Sequence, residues 1–247
     1  MRAMWAIAKR DIRAFFVSPI AYVVLTVWLL WCGTSYYWLA SWYAGRATSG
    51  GSDNPLTAFF GGTWFFFAPL LVFVPVMTMR LLAEEKNSGT LEPLLTAPVT
   101  EVQVVFGKYL AAMVFWITLW LPTLLYVWIT SNFGDVDMGA VGASYLGIFG
   151  IGLYYMAIGL LMSAAARSQI VAAVLTFMVL GLLFAVSIGE FIETGTAKEV
   201  LGYVSLWKHM GAFSKGIVDT RYIVFDVSLA VLALFLAVRV LQSRRVT

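Results

Sequence analysis

Six stretches of this chain run for about twenty residues each with almost no charge, and that pattern fixes the solvent in which it folds. They fall roughly at 20–42, 59–79, 108–129, 144–166, 170–188 and 223–240. A soluble domain holds about 45–50% apolar and about 25% charged residues; here the figures are 61% and 12%. Each run is long enough to cross a ~30 Å hydrocarbon layer as one helix. The expected fold is therefore an all-α membrane protein of six spans, a single transmembrane domain over 1–247 with no linker, internal repeat or low-complexity tract.

Flanking residues refine the spans. Pro69, Pro75 and Pro122 predict kinks inside the second and third runs, where neighbouring helices must satisfy the freed carbonyls. Tyr36, Tyr37, Trp38, Trp42 and Tyr43 crowd one span end, as in an interfacial aromatic belt. Residues 1–19 alternate on a helical period, with Trp5, Ala8, Ile12, Phe15 and Phe16 on one face and Arg2, Lys9, Arg10 and Arg13 on the other. That pattern suits a helix lying in the headgroup layer, with Trp5, Arg10, Arg13 and Phe16 at the membrane interface. A signal peptide fits less well, because the following run is too long and aromatic and lacks a small-residue cleavage site.

Orientation follows from Lys and Arg. With the N-terminus inside, cytoplasmic segments carry eleven of them and external segments five, namely Arg46, Lys198, Lys208, Lys215 and Arg221. Both termini are thus expected in the cytoplasm, together with the segment between the second and third spans. Outside, 44–55 and 131–140 read as plain loops. Residues 190–222 differ: Val200, Val204, Trp207, Met210 and Phe213 recur at helical spacing, which predicts one or two amphipathic helices tucked against the outer leaflet.

The segment 80–107 is a polar, capped insert in an otherwise apolar chain, with Glu84, Glu85, Lys86, Glu92 and Glu101. The second span can run on through Lys86 and stop at Ser88-Gly89. Thr90 is a candidate N-cap for a short helix with Glu92 in its first turn and Leu91, Leu94 and Leu95 on one face, ended by Pro98. Thr100-Glu101-Val102-Gln103 forms a capping box that opens the next helix. A two-turn crosspiece between two spanning helices, with a leucine face flanked by acids, suits a groove on a cytosolic partner.

The segments AKRDIRAFFVSPIAYVV, EEKNSGTLEPLLTAPVTEVQVVFGKYLA and LWKHMGAFSKGIVDTRYIVF resemble the membrane subunits of type-2 ATP-binding-cassette transporters over essentially the whole length. Within those, the likeness is greatest to permeases associated with bacterial gliding motility. The resemblance implies an N-terminal elbow helix, an insert that docks on a cytosolic ATPase, and external re-entrant helices in 190–222. It also implies a bacterial inner-membrane exporter built from two permease chains, identical or related, and two ATPase subunits, with further membrane or periplasmic subunits in some systems. Glu84, Glu85, Gly89, Thr90, Leu91, Glu92, Leu94 and Leu95 would then be the ATPase-coupling residues.

What is missing narrows the chemistry. No G-x-x-x-x-G-K-[ST] occurs, so ATP and magnesium are expected on another polypeptide. One histidine, His209, and one cysteine, Cys32, leave no metal motif and no disulfide framework, and the basic residues form no nucleic-acid patch. Two other readings stay open: a scaffold that anchors an ATPase without transport, and an intramembrane serine protease using Ser144 with His209 as base. The competing expectation for that pair is a helix-start serine and an interfacial histidine. Glu190, Glu193 and Asp226 lie at span ends, where water, Lys215 or Arg221 are expected to reach them. No substrate-binding residue can be named.

Overall fold

The computed structural model describes residues 2–44, 55–61, 64–87, 89, 99–192 and 196–243, and these contain helices and turns with no strand. α1 (Arg2–Val17) meets α2 (Pro19–Ala44) across Ser18; Pro19 sits at the first helical position, where a missing N–H costs nothing. α3 (Pro55–Phe60) and α4 (Trp64–Thr78) lead to α5 (Arg80–Asn87). α6 (Glu101–Trp120) continues through a 3₁₀ turn (Leu121–Thr123) into α7 (Leu124–Phe133). α8 (Met138–Ala165), α9 (Gln169–Ile192), two short helices α10 (Thr196–Val204) and α11 (Leu206–Phe213), and α12 (Thr220–Ser243) complete the order.

Six helical stretches are long and apolar enough to cross a membrane: Pro19–Ala44, Phe66–Asn87, Glu101–Phe133, Met138–Ala165, Gln169–Gly189 and Thr220–Ser243. α8 is the axis of the bundle, with 67% of its apolar window buried against α12, α9, α6 and α4. Lipid is as apolar as leucine, so close packing rather than water exclusion must hold these helices together. Glycines on α8 permit it: a Cβ at Gly152 would come within 2.6 Å of the Trp116 ring. Between α2, α4, α6 and α7 the filling is aromatic. Trp28 meets Phe73 at 5.2 Å and Trp120 at 4.9 Å, and Tyr36 stacks on Tyr126 at 4.8 Å.

The prolines act less directly than the sequence suggests. α4 runs unbroken through Pro69 and Pro75, and the interruption comes four residues later, at Met79. Pro122 lies in the 3₁₀ turn that joins α6 to α7.

Successive spans alternate in direction, so α1, the end of α5, the start of α6, the 166–168 turn and the end of α12 share one end of the bundle. At the other end, α10 and α11 occupy the segment where amphipathic helices are expected. Burial there corrects two expectations. His209 does not face the protein surface, and Asp226 is not within reach of water: both are 1% exposed, with His209 Nδ1 3.7 Å from Asp226 Oδ1. His209 Nε2 pairs with the Tyr203 carbonyl at 3.0 Å, and its ring packs on Tyr222. Arg221 instead reaches the Tyr203 hydroxyl. Glu193 and the Glu190 side chain lie outside the described residues.

Candidate coupling site

The insert is entered through α5, and the short helix is braced at both ends. The break at Met79 frees the amides that open α5. Ser163 of α8 takes them: its Oγ accepts from Leu82 N and Ala83 N, both at 3.0 Å, and donates to the Met79 carbonyl at 3.1 Å. That uses the one donor and two acceptor positions of a hydroxyl, so a residue some eighty positions away serves as the cap. At the other end Lys86 Nζ donates to the Ala164 carbonyl and, at 3.1 Å, to that of Ala166. A cation there satisfies exposed carbonyls and the negative end of the α8 dipole together. Leu81, Leu82 and Ala83 are buried between these two anchors.

A four-charge cluster ties α5 sideways. Lys108, near the start of α6, is only 3% exposed. Its Nζ lies 3.0 Å from Asp11 Oδ2 on α1 and 2.9 Å from Glu85 Oε1 on α5. Arg10 closes the set, with Nε 2.8 Å from Asp11 Oδ1 and a terminal nitrogen 2.6 Å from Glu85 Oε1. Two cations and two carboxylates leave no net charge, which is the condition for keeping an ammonium out of water. Burial disfavours the Arg10 charge, but hydrogen bonds and attraction to Asp11 and then Glu85 outweigh it and raise its pKa above the ordinary value. Beneath the cluster α1 lies against α6 at Gly107, where a Cβ would come 2.9 Å from the Met4 carbonyl.

The insert leaves and re-enters through the punctuation expected of it. Gly89 has φ 69°, the left-handed conformation that ends a helix, and its N–H reaches the Lys86 carbonyl at 3.3 Å. Thr100 and Gln103 form a reciprocal capping box at the head of α6: Gln103 N donates to Thr100 Oγ1 at 3.3 Å, and Thr100 N to Gln103 Oε1 at 3.2 Å.

Of the residues singled out in the sequence, Glu84 is exposed and lies 3.8 Å from Arg80, whereas Glu85 turns inward to Lys108 and Arg10. Thr90, Leu91, Glu92, Leu94 and Leu95 lie outside the described residues. On α1, Trp5 and Arg13 are exposed, Arg10 is held by the cluster, and Phe16 packs 6.1 Å from Phe115. Sequence reasoning missed Asp11, Lys108, Lys86 and Ser163. One signal was present for the first two: Asp11 is the only acid before Asp53, and a lysine beginning an apolar span needs an anion. Ser144 sits inside continuous α8 with its hydroxyl donating to the Ala140 carbonyl at 2.8 Å, not on a strained nucleophile turn.

The fold and the site together define a polytopic helical membrane subunit with a braced polar insert at one end of its bundle. The family model described as ABC-2 family transporter protein matches residues 5–205, most of the chain, and the chain belongs to that family. It is thus a multi-pass ABC-2 type permease, from a family whose members lack the nucleotide-binding domain and partner with a cytosolic ATPase. No curated protein matches it.

Proposed function

We propose that this chain is the permease half of an ATP-driven exporter in which α5 is the lever between motor and membrane. The insert and both termini face the cytosol of a bacterial inner membrane. A separate pair of ATPase subunits holds ATP and magnesium, and their closure pushes on the crosspiece at 90–97. Leu91, Leu94 and Leu95 form its packed face, Glu92 and Glu84 its polar contacts, and Gly89 and Thr90 its turn. Glu85 belongs to the bracing rather than to the contact, since its carboxylate engages Lys108 and Arg10.

The observation that carries this reading is the bracing itself. α5 is fixed to α8 by Ser163 and Lys86, and to α1 and α6 by the charge cluster. A push delivered just beyond Gly89 therefore moves three further elements instead of bending one loop. Two permease copies would reshape a cavity between them and move a substrate outward or extract it from the bilayer. Likeness to gliding-associated permeases suggests one setting for such an exporter, with additional envelope subunits.

The test replaces Leu94 with Ala and Glu92 with Lys and purifies the chain with its ATPase. Loss of the complex, or of hydrolysis that responds to lipid or solute, is expected. An unchanged complex with unchanged responsive hydrolysis would sink the coupling role. Hydrolysis in the wild-type complex that never responds would mark a scaffold instead.

A further inference from the structure

A cavity of about 460 Å³ opens between α1, α2, α4 and α5 at the insert end of the bundle, beside the charge cluster. Its volume lies within the ~300–1,000 Å³ of ordinary ligand sites. The walls differ in kind. Phe15, Val24, Val76 and Met77 make one side apolar; the polar side holds Arg80, Ser18 and the half-exposed Glu84, with the mutually neutralised Arg10, Asp11, Glu85 and Lys108 behind them. With α1 in the headgroup layer, as its amphipathic sequence predicts, the rim lies at headgroup depth and the apolar wall at the acyl boundary.

Arg80 decides what the rim binds. Arg10 and Lys108 are already engaged by carboxylates at 2.6–3.0 Å. Arg80 has only a 3.5 Å contact to Ser18 Oγ and a 3.8 Å approach to Glu84, too long for a hydrogen bond, and its buried Nε has no hydrogen-bond partner. A guanidinium with five donors in a planar fork matches the oxygens of a phosphate. An apolar wall continuing from that cation matches an acyl chain.

We propose that this cavity binds a glycerophospholipid from the leaflet on the insert side, its phosphate on Arg80 and Ser18 and one acyl chain along Val24, Val76 and Met77. Bound there, the lipid fills the space between the elbow helix and the lever, so the membrane itself would complete the bracing of α5. The proposal needs only the membrane placement of the fold, and it stands or falls independently of whether the 90–97 crosspiece docks an ATPase.

The test is a thermal-stability titration of the delipidated full chain in detergent with phosphatidylglycerol, with diacylglycerol of the same acyl chains, and with glycerol phosphate. Saturable stabilisation by phosphatidylglycerol alone is expected. Arg80→Ala should weaken the phosphatidylglycerol midpoint about 10- to 100-fold, the value of charge-assisted hydrogen bonds. Val76→Trp, which fills the apolar wall, should weaken it without touching the cation. Equal stabilisation by diacylglycerol would reduce the site to apolar contact, and equal stabilisation by glycerol phosphate would make it a plain anion site; either overturns the proposal. So would midpoints unchanged in both variants. The three-probe comparison on the wild-type chain decides the matter even where a variant fails to fold.

Discussion

Replacing Lys108 with Met is the sharpest probe of the charge cluster, because its effect can be partly reversed by a second loss. Lys108 is buried between Asp11 and Glu85, at 3.0 and 2.9 Å. Removing one member of a buried ion pair costs about 3–5 kcal/mol, since the partner charge is stranded. Here the side chains of Asp11 and Glu85 keep 12% and 17% exposure, and Arg10 still contacts both, so the cost is discounted to about 2–3 kcal/mol. At ~2–4 °C per kcal/mol for a chain of this size, the melting midpoint should fall by roughly 4–12 °C. The variant has two carboxylates facing one guanidinium. Adding Asp11→Asn restores one against one, so the double variant should regain about 1 kcal/mol or more over Lys108→Met alone. Fluorescence-detected gel filtration after heating in detergent reads all three proteins. A double variant less stable than the single would refute the electrostatic reasoning and leave only packing.

Other consequences can be read the same way. Ser163→Ala strands two amides and one carbonyl and should cost about 2–3 kcal/mol, seen as a lower melting midpoint and faster amide exchange at Leu82 and Ala83. Gly89→Ala should cost about 1–2 kcal/mol, while Gly89→Asn costs less; a Cβ there meets nothing within 4 Å, so the left-handed backbone alone sets the penalty, and equal stability of the two variants would contradict it. His209→Ala removes the ring's hydrogen bond to the Tyr203 carbonyl and its stack on Tyr222 from a buried site, so a loss of about 1–3 kcal/mol is expected in the same melting assay.

How much of this was legible in the sequence depended on how far apart the interacting residues lie. The spans were legible because hydrocarbon leaves length and apolarity almost sufficient to define a helix. The Thr100–Gln103 capping box and the Gly89 stop were legible because each involves neighbours in the chain. Ser163 with Leu82, and Asp11 with Lys108, were not: they meet across 81 and 97 positions, and nothing local to either residue names its partner. The helical period of residues 1–19 reported an amphipathic helix but assumed lipid as the only apolar partner. α6 takes part of that surface instead, so Ile7, Ala8 and Asp11 are the residues that turn inward. His209 and Asp226 misled for a related reason. Each looks interfacial by position, and only the packing of α11 on α8, with His209 and Phe213 against Tyr222 of α12, encloses the pair.

The central claim is that motion of the insert reaches the far end of the bundle through the bracing of α5. Phe133, 89% exposed at the end of α7, offers a reporter there. In a Cys32→Ser background, Phe133→Cys can carry a spin label, and the label-to-label distance between the two permease copies of the proposed complex can be measured with the ATPase bound, with and without ATP. A nucleotide-dependent change of distance is predicted. It should vanish in Lys86→Met/Ser163→Ala, which removes both anchors of α5, while the ATPase stays bound. A distance that never responds to ATP, or one that still responds fully without the anchors, would contradict the account.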